Sequence, residues 1–250
     1  MINVILSGAN GYMGKVISRL AAADPELKII AGFDINTDSA DGYPVYAVPS
    51  EFVGKADVII DFSHPSAFEG VTEYALAHKR PVVVATTGLS AEQRDRLKSM
   101  ASIIPVFFSA NYSIGVNLLI DLVKRAAAAL EENFDIEIVE KHHNRKVDAP
   151  SGTALAIADA ITEVVSGPSV YVYDRHSAMR KRAENEIGIH SIRGGTIVGE
   201  HDVIFAGNDE VIEIKHTAAS RDIFASGAIK AAKFLSRKKS GYYTMTDLFG

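Results

Sequence analysis

The chain has no cysteine in its 250 residues. Disulfides, thiolate metal sites and cysteine nucleophiles are therefore excluded, and a reducing compartment is permitted. It also lacks an excess of positive charge: 26 Lys and Arg stand against 31 Asp and Glu, a net charge of −5. Without a positive field to collect phosphates, general nucleic-acid binding is not expected. No apolar run approaches the ~20 residues that span a bilayer. The N-terminus enters a strand pattern directly, with no cationic region ahead of an apolar signal segment. These absences read as a cytoplasmic protein with no membrane partner. There is no repeat and no low-complexity tract. Hydrophobic residues make up 47% and charged ones 23%, enough for a packed core. The length suits one large domain or two modest ones.

The densest chemistry lies between Glu140 and Thr153, EKHHNRKVDAPSGT. The adjacent His142 and His143 can offer a proton near neutral pH. Arg145 and Lys146 place fixed positive charge beside them. Pro150 ends an extended run, and Ser151-Gly152-Thr153 opens an apolar helical pattern from Ala154 to Val165. A helix start presents unpaired N–H groups and the positive end of the dipole. Ser151 suits the N-cap, and Gly152 lets a ligand approach the backbone. Proton donors, an ammonium and an anion-binding helix start in one turn region suit a small carboxylate that is protonated during reaction. The competing reading is a solvated polar loop with a capped helix.

A second pattern opens the chain. Asn3 to Ser7 is a short apolar run that ends in Gly8-Ala9-Asn10-Gly11-Tyr12-Met13-Gly14. A helical pattern through Val16, Ile17 and Leu20 follows, with Lys15 just after the turn, and Lys28 to Asp34 forms a second strand ending in an acid. Strand, glycine turn, helix, strand and acid is the dinucleotide-binding order. The glycines permit a tight turn and close contact with a pyrophosphate, and Asp34 stands where a carboxylate would bond the ribose hydroxyls. Strands 57–62, 81–86 and 103–108 alternate with helices near 67–78 and after Ser90, which indicates a doubly wound parallel sheet. Thr86-Thr87-Gly88 and Ala110-Asn111-Tyr112 fall at carboxyl ends of strands, where ligands of such sheets bind.

After Ala110-Asn111-Tyr112 the grammar changes. A long helix, 115–131, leads into strands at 134–140, 169–173, 196–205 and 211–215, interrupted by one clear helix. This is an α+β segment with a largely antiparallel or mixed sheet. The expected division is 1–112 with 217–250 for the Rossmann-like dinucleotide domain, and 113–216 for the substrate domain. The last helix, 222–235, could return to the first domain. Residues 174–185 read as a charged loop whose Arg175, Arg180, Lys181 and Arg182 form a solvated face.

Glu140 to Ala154 resembles the signature of the 4-hydroxy-tetrahydrodipicolinate reductase (dihydrodipicolinate reductase) family of bacterial lysine and diaminopimelate synthesis. GANGYMG, DFSHP, ATTG, FSANYSIGVN, GGTIVGEH and HTAASRDIFASGA are similar to the family in its order, so the resemblance spans essentially the whole chain. It implies NAD(P)H-dependent reduction, with His142 as general acid and Lys146 holding substrate and stabilising developing charge. It places the substrate carboxylates on His143, Ser151, Gly152 and Thr153. The dinucleotide falls to Gly8, Asn10, Gly11, Tyr12, Met13, Gly14, Lys15, Asp34, Phe62, the 86–88 and 110–112 turns, and Arg221. It further implies a homotetramer joined through second-domain sheets, with hinge closure between domains. Asp34 should accept bonds from the ribose of NADH, while Lys15 could partner the 2′-phosphate of NADPH, so both dinucleotides should serve, with NADH slightly preferred.

Other readings fit less well. A short-chain dehydrogenase needs a Tyr with a Lys four positions later, and none of the nine tyrosines has one. Aspartate-semialdehyde dehydrogenase needs a cysteine. A zinc site on His142 and His143 is disfavoured, since adjacent strand side chains point to opposite faces. A nucleotide-sensing regulatory protein without chemistry remains the alternative from another class.

Overall fold

The structure is a computed structural model that describes residues 1–38, 42–177 and 179–249. In chain order its strands and helices are β1 (Ile2–Ser7), α1 (Tyr12–Ala22), β2 (Leu27–Phe33), β3 (Val45–Tyr46), β4 (Val58–Asp61), α2 (Phe68–Ala77), β5 (Val82–Val84), α3 (Ala91–Met100), β6 (Pro105–Phe108), α4 (Ile114–Leu130), β7 (Asp135–His142), α5 (Gly152–Thr162), β8 (Val170–Val172), β9 (Glu186–Arg193), β10 (Gly199–Ala206), β11 (Val211–Ala218), α6 (Asp222–Leu235) and β12 (Gly241–Tyr243). They form two units, residues 1–114 with 222–250, and residues 115–221.

The first unit is a sheet in the order β12-β6-β5-β4-β1-β2-β3. Every pairing is parallel. Its strands read as continuous apolar runs because both faces are covered. Val4 and Leu6 pack with Val16 and Ile17 of α1 and with Ala228 and Ile229 of α6. Ile5, one residue out of phase, packs with Phe68 and Val71 of α2 and with Leu97 of α3. Ser90 caps α3 in a capping box with Gln93, as its position predicts. The strand order turns about β1, so the carboxyl ends of β1 and β4 border the switch point where such sheets take ligands.

The second unit holds a mixed sheet in the order β11-β10-β7-β9-β8. β10 runs antiparallel to β7 and β11, while β9 runs parallel to β7 and β8. One face carries Ile136, Ile138, Ile187, Ile189, Val203 and Phe205 against Leu119 and Val123 of α4 and Ile157 and Ile161 of α5. The other face carries Glu137, Val139, Lys141, His190, Asp202 and Ile204, all only partly buried.

Three differences from expectation have physical causes. β11 continues to Ala218, so the chain returns to the first unit at 222 rather than 217. β9 is a full strand in a stretch, 186–193, where the sequence pattern predicts no element. Only Ile187 and Ile189 mark its apolar face before Ser191 and Arg193 take over, too short an alternation to stand out. β3 and β12 are two- and three-residue edge strands, with almost no sequence pattern to carry.

The charged loop is a correction. Arg175 pairs with Glu137 and Glu186, Arg180 with Glu186, and Arg182 with Asp135 and Glu137. Arg175 and Arg182 tie the loop to the starts of β7 and β9 rather than forming a solvated face; Arg180 and Lys181 keep the exposure expected, although Arg180 also reaches Glu186. Residue 178 of that loop lies outside the described residues.

Candidate active site

Alternate residues of β7 face α4 and α5: first Ile136 and Ile138, then Glu140 and His142. The register carries the same change across the sheet. Glu140 sits beside His201 of β10 and Ser191 of β9, and His142 beside Arg193. At one level, then, the inner face turns from an aliphatic core into a set of titratable groups.

Glu140 is the hub. Its side chain is 0% exposed. One carboxylate oxygen lies 2.6 Å from Nδ1 of His142, and the other accepts the Ser151 N–H at 3.1 Å. Arg193 grips both oxygens, at 2.8 and 2.6 Å. Burial alone would raise the Glu140 pKa, but bonds from Arg193, Ser191 and His142 overcome it and hold the carboxyl down at about 2. A buried carboxylate this well partnered is an ionised anchor rather than a proton donor.

His201 completes the inner wall. Its Nε2 lies 3.1 Å from Oγ of Ser151, which also accepts the Ala154 N–H as the N-cap of α5. Burial pushes the His201 imidazole down to about 4, with the nearby His142 acting in the same direction. Gly199 faces the reactive side of His142: a Cβ there would stand 3.1 Å from Nε2.

The segment after β7 holds the remaining substrate candidates. Lys146 Nζ pairs with Asp148 at 2.8 Å, and its hydrogen bond holds the Asp148 carboxyl below the usual range. His143 is half-buried with Nδ1 unpartnered. Desolvation, then the charges of Arg145 and Arg221, lowers its pKa. The charge of Arg221, expected among the dinucleotide contacts, is thus also felt at His143. Gly152 is exposed, with nothing within 4 Å of where a Cβ would be. Thr153 follows it in the first turn of α5.

In the first unit the glycine turn has the form that a phosphate cradle requires. Gly8 has φ of +77° and lies so close to the next strand that a Cβ would come 2.6 Å from the Phe62 carbonyl oxygen. At Gly14 a Cβ would meet the Gly8 and Ala9 carbonyl oxygens at 2.2 and 2.4 Å, so only glycine lets α1 pack this tightly on the turn. Gly11 caps α1 without any side-chain bond, and Tyr12 and Met13 form its first turn. Lys15 is exposed one turn on. Asp34 accepts the Asn10 N–H at 3.0 Å and the Asn36 N–H at 3.0 Å, while the Asn10 side chain ties down the carbonyls of Asn36 and Asp38.

A cleft of about 470 Å³ opens here, lined among others by Gly8, Gly11, Asp34, Ile35, Phe62 and His64. Ile35 is 97% exposed, an apolar surface beside Asp34 that an adenine ring could cover. The residues present fit a dinucleotide. A larger cleft, about 590 Å³, lies in the second unit around Asp135, Ile136 and Glu186, at the opposite end of β7 from His142, and lacks the signature residues.

The other expected cofactor contacts differ in kind. Thr86 is buried, and its hydroxyl bonds the Asp61 carboxylate at 2.8 Å, so it shapes the turn. Thr87 and Gly88 are exposed, with Gly88 at φ of +77°. Ala110 is exposed and Asn111 half-buried. Tyr112 is a core residue whose hydroxyl bonds the Val84 carbonyl at 2.7 Å and whose ring packs near Phe62, so only its backbone can serve a ligand.

The family model for the dihydrodipicolinate reductase N-terminus matches residues 2–112, and that for its C-terminus matches residues 115–249. The chain belongs to the dihydrodipicolinate reductase family. It is 56% identical over 248 residues to 4-hydroxy-tetrahydrodipicolinate reductase of Caldanaerobacter subterraneus subsp. tengcongensis, covering 99% of this chain and 98% of that protein. It is 49% identical to the enzyme of the same name from Clostridium novyi, again over 99% and 98%. The dipicolinate-bound dihydrodipicolinate reductase of Paenisporosarcina sp. TG-14 has the same fold, with a TM-score of 0.84 at 25% identity, covering 98% of this chain and 97% of that one. The fold and the enzyme class drawn from the dihydrodipicolinate reductase signature agree with these likenesses.

Three members of the site went unread in the sequence. Glu140 stands two residues before His142, and strand alternation alone puts both on one face. His201 ends the GGTIVGEH stretch and Arg193 precedes it, but neither shows a role there: they reach the site through the pairing of β9 and β10 with β7.

Proposed function

We propose that the chain reduces 4-hydroxy-tetrahydrodipicolinate to tetrahydrodipicolinate with NADH or NADPH, in the diaminopimelate route to lysine. The observation that carries this reading is the orientation of His142: Nδ1 is engaged by Glu140, which leaves Nε2, on the Gly199 side, as the nitrogen for the working proton. The nicotinamide, when bound, supplies a hydride. Gly8, Asn10, Gly11, Tyr12, Met13, Gly14 and Asp34 hold the dinucleotide, with Phe62, Thr87, Gly88 and the backbone of 110–112 bordering it. Loss of the substrate 4-hydroxyl as water gives a conjugated imine; hydride addition to it leaves a nucleophilic carbon, and His142 delivers the proton to that carbon from Nε2. Lys146 releases Asp148 and binds a substrate carboxylate, which also stabilises developing charge. The start of α5 at Ser151-Gly152-Thr153 takes a carboxylate through its N–H groups, assisted by His143 and Arg221. The relatives are named as reductases, and a purely nucleotide-sensing role finds no support in them.

A coupled assay tests this reading. Aspartate semialdehyde, pyruvate and the preceding synthase generate the substrate, and loss of NAD(P)H absorbance reports reduction. Pyridine-2,6-dicarboxylate should compete with substrate and not with the dinucleotide. No oxidation of either dinucleotide would overturn the assignment.

The reading extends to a homotetramer in the cytoplasm. The sheet face away from α4 and α5 mixes Val139 and Ile204 with Asp202, one of whose carboxylate oxygens is buried without a partner. Such a face suits a second copy. Light scattering should give about four times the 26.9 kDa chain mass, and the single-chain mass at micromolar concentration would exclude it. Among the described residues no helix is long and apolar enough to cross a membrane.

A further inference from the structure

We infer that Glu140, clamped by Arg193, is a positioning residue that fixes His142 as the proton donor and ties it to the carboxylate-binding start of α5. This rests on the reading of His142 as the general acid.

The geometry restricts Glu140 to one arrangement. Arg193 bonds both carboxylate oxygens, His142 Nδ1 occupies one of them and the Ser151 N–H the other. A carboxylate with four bonds in two directions cannot rotate. Its oxygen beside Nδ1 accepts and cannot donate, so neutral His142 must carry its hydrogen on Nδ1. Nε2 is then the nitrogen that gains and gives the working proton.

Arg193 extends the same control to the loop. Its guanidinium also donates to the Asp148 carbonyl at 2.7 Å. The turn that follows it is pinned to the histidine segment, with the Gly194 N–H on the His142 carbonyl at 2.9 Å and the Asn144 N–H on the Gly195 carbonyl at 3.2 Å. A single buried ion pair thus sets the acid, the loop bearing Lys146, and the N-cap Ser151 in one frame.

The charged and titratable groups facing His142 come from every neighbouring strand and loop. Glu140 shares β7, Arg193 ends β9 and His201 lies on β10, while His143, Lys146 and Asp148 follow in the loop. His201 is held neutral by burial, and Lys146 and Asp148 offset one another. Glu140 is the anion in direct contact with the ring.

The test is a double-mutant cycle of Glu140→Gln and His142→Gln, read through the full chain with either dinucleotide. Glu140→Gln should lower kcat by about 10–100-fold and raise the substrate KM, because Ser151 and the Lys146 loop share its frame, with dinucleotide affinity kept. In the His142→Gln background, Glu140→Gln should cost almost nothing further in kcat, because on the chemical step it acts through the missing ring. Equal losses in both backgrounds would overturn the positioning role while leaving His142 as the donor. Unimpaired His142→Gln would instead overturn the donor reading itself. Should Glu140→Gln fail to fold, nitrogen-15 NMR of histidine-labelled wild-type protein still decides. The neutral His142 ring should carry its hydrogen on Nδ1, and a hydrogen on Nε2 would refute the proposal.

Discussion

His201 stands edge-on to His142, with ring centroids 5.3 Å apart and planes at 73°. Burial keeps His201 neutral in that position. His201 is neutral down to about 4, against 6.5 for a free imidazole, so it can wall the site without competing for the working proton.

That difference makes stability depend on pH. Between about 6.5 and 4 the unfolded chain binds a proton at His201 that the folded chain refuses. The contribution is fully present above 6.5 and is lost as pH falls toward 4, up to ~3 kcal/mol. Urea midpoints at pH 7.5, 6 and 5 should fall more steeply in the wild type than in His201→Asn. Glu140 does not confuse this window: its carboxyl, normally near 4.5, is held at about 2, and its contribution is lost only below 4.5. Parallel slopes for the two proteins would show that His201 does not titrate with unfolding.

His142 and Lys146 should fail differently. His142→Gln should lower kcat by roughly 10²-fold or more with dinucleotide binding intact, the scale of lost acid catalysis. Lys146→Ala should raise the substrate KM as well, because a carboxylate loses its cation and Asp148 loses the partner that neutralises it. Steady-state kinetics with fluorescence titration of the dinucleotide separates the two, and near-normal kcat in His142→Gln would remove it from the chemistry.

The first unit was legible because its signals are local. Glycines at 8, 11 and 14, an acid at 34 and unbroken Val/Ile runs each announce their own strand or turn. The second unit was legible only where chemistry and chain order coincide, as from His142 to Thr153. Glu140 lay inside the quoted segment, yet its role depends on Arg193 from the far end of β9, an element whose short alternation did not declare itself. Tyr112 shows the converse: proximity to a strand end suggested a ligand contact, but an aromatic ring next to Phe62 and Phe107 is worth more in the core.

The loop arginines give a stability prediction. Arg182 bonds Asp135 at 2.7 Å, Glu137 at 3.2 Å, and the carbonyls of Ala183, Ile136 and Glu186. Arg182→Ala leaves several of these acceptors partly buried and unpaired, so it should cost ~2–4 kcal/mol in chemical denaturation. Lys181→Ala, one residue away and exposed, should stay within about 0.5 kcal/mol of wild type. Equal effects would return the loop to the status of a solvated face.

Dinucleotide choice should rest on Asp34 and Lys15. The Asn10 and Asn36 N–H groups, each at 3.0 Å, fix one oxygen apiece of the Asp34 carboxylate. Each oxygen keeps a lone pair, so both ribose hydroxyls of NADH can donate to it. The 2′-phosphate of NADPH would instead bring negative charge to the carboxylate, and Ile35, Asn36 and Thr37 supply no cation to offset it. In this partly solvated position the repulsion should cost about 1–2 kcal/mol. Lys15, exposed on α1 just beyond the glycine turn, can cancel much of that. Both dinucleotides should therefore serve, with kcat/KM values within roughly tenfold, about 1.4 kcal/mol, and NADH slightly ahead. Asp34→Ser should improve NADPH relative to NADH, although it also releases the Asn10 and Asn36 amides, so the ratio rather than either absolute value is the measure. Lys15→Ala should weaken NADPH selectively, and more so at low salt, where a surface charge is least screened. If both substitutions leave the NADH:NADPH ratio unchanged at low salt, neither side chain reads the 2′ position, and Asp34 serves only to hold the turn between Asn10 and Asn36.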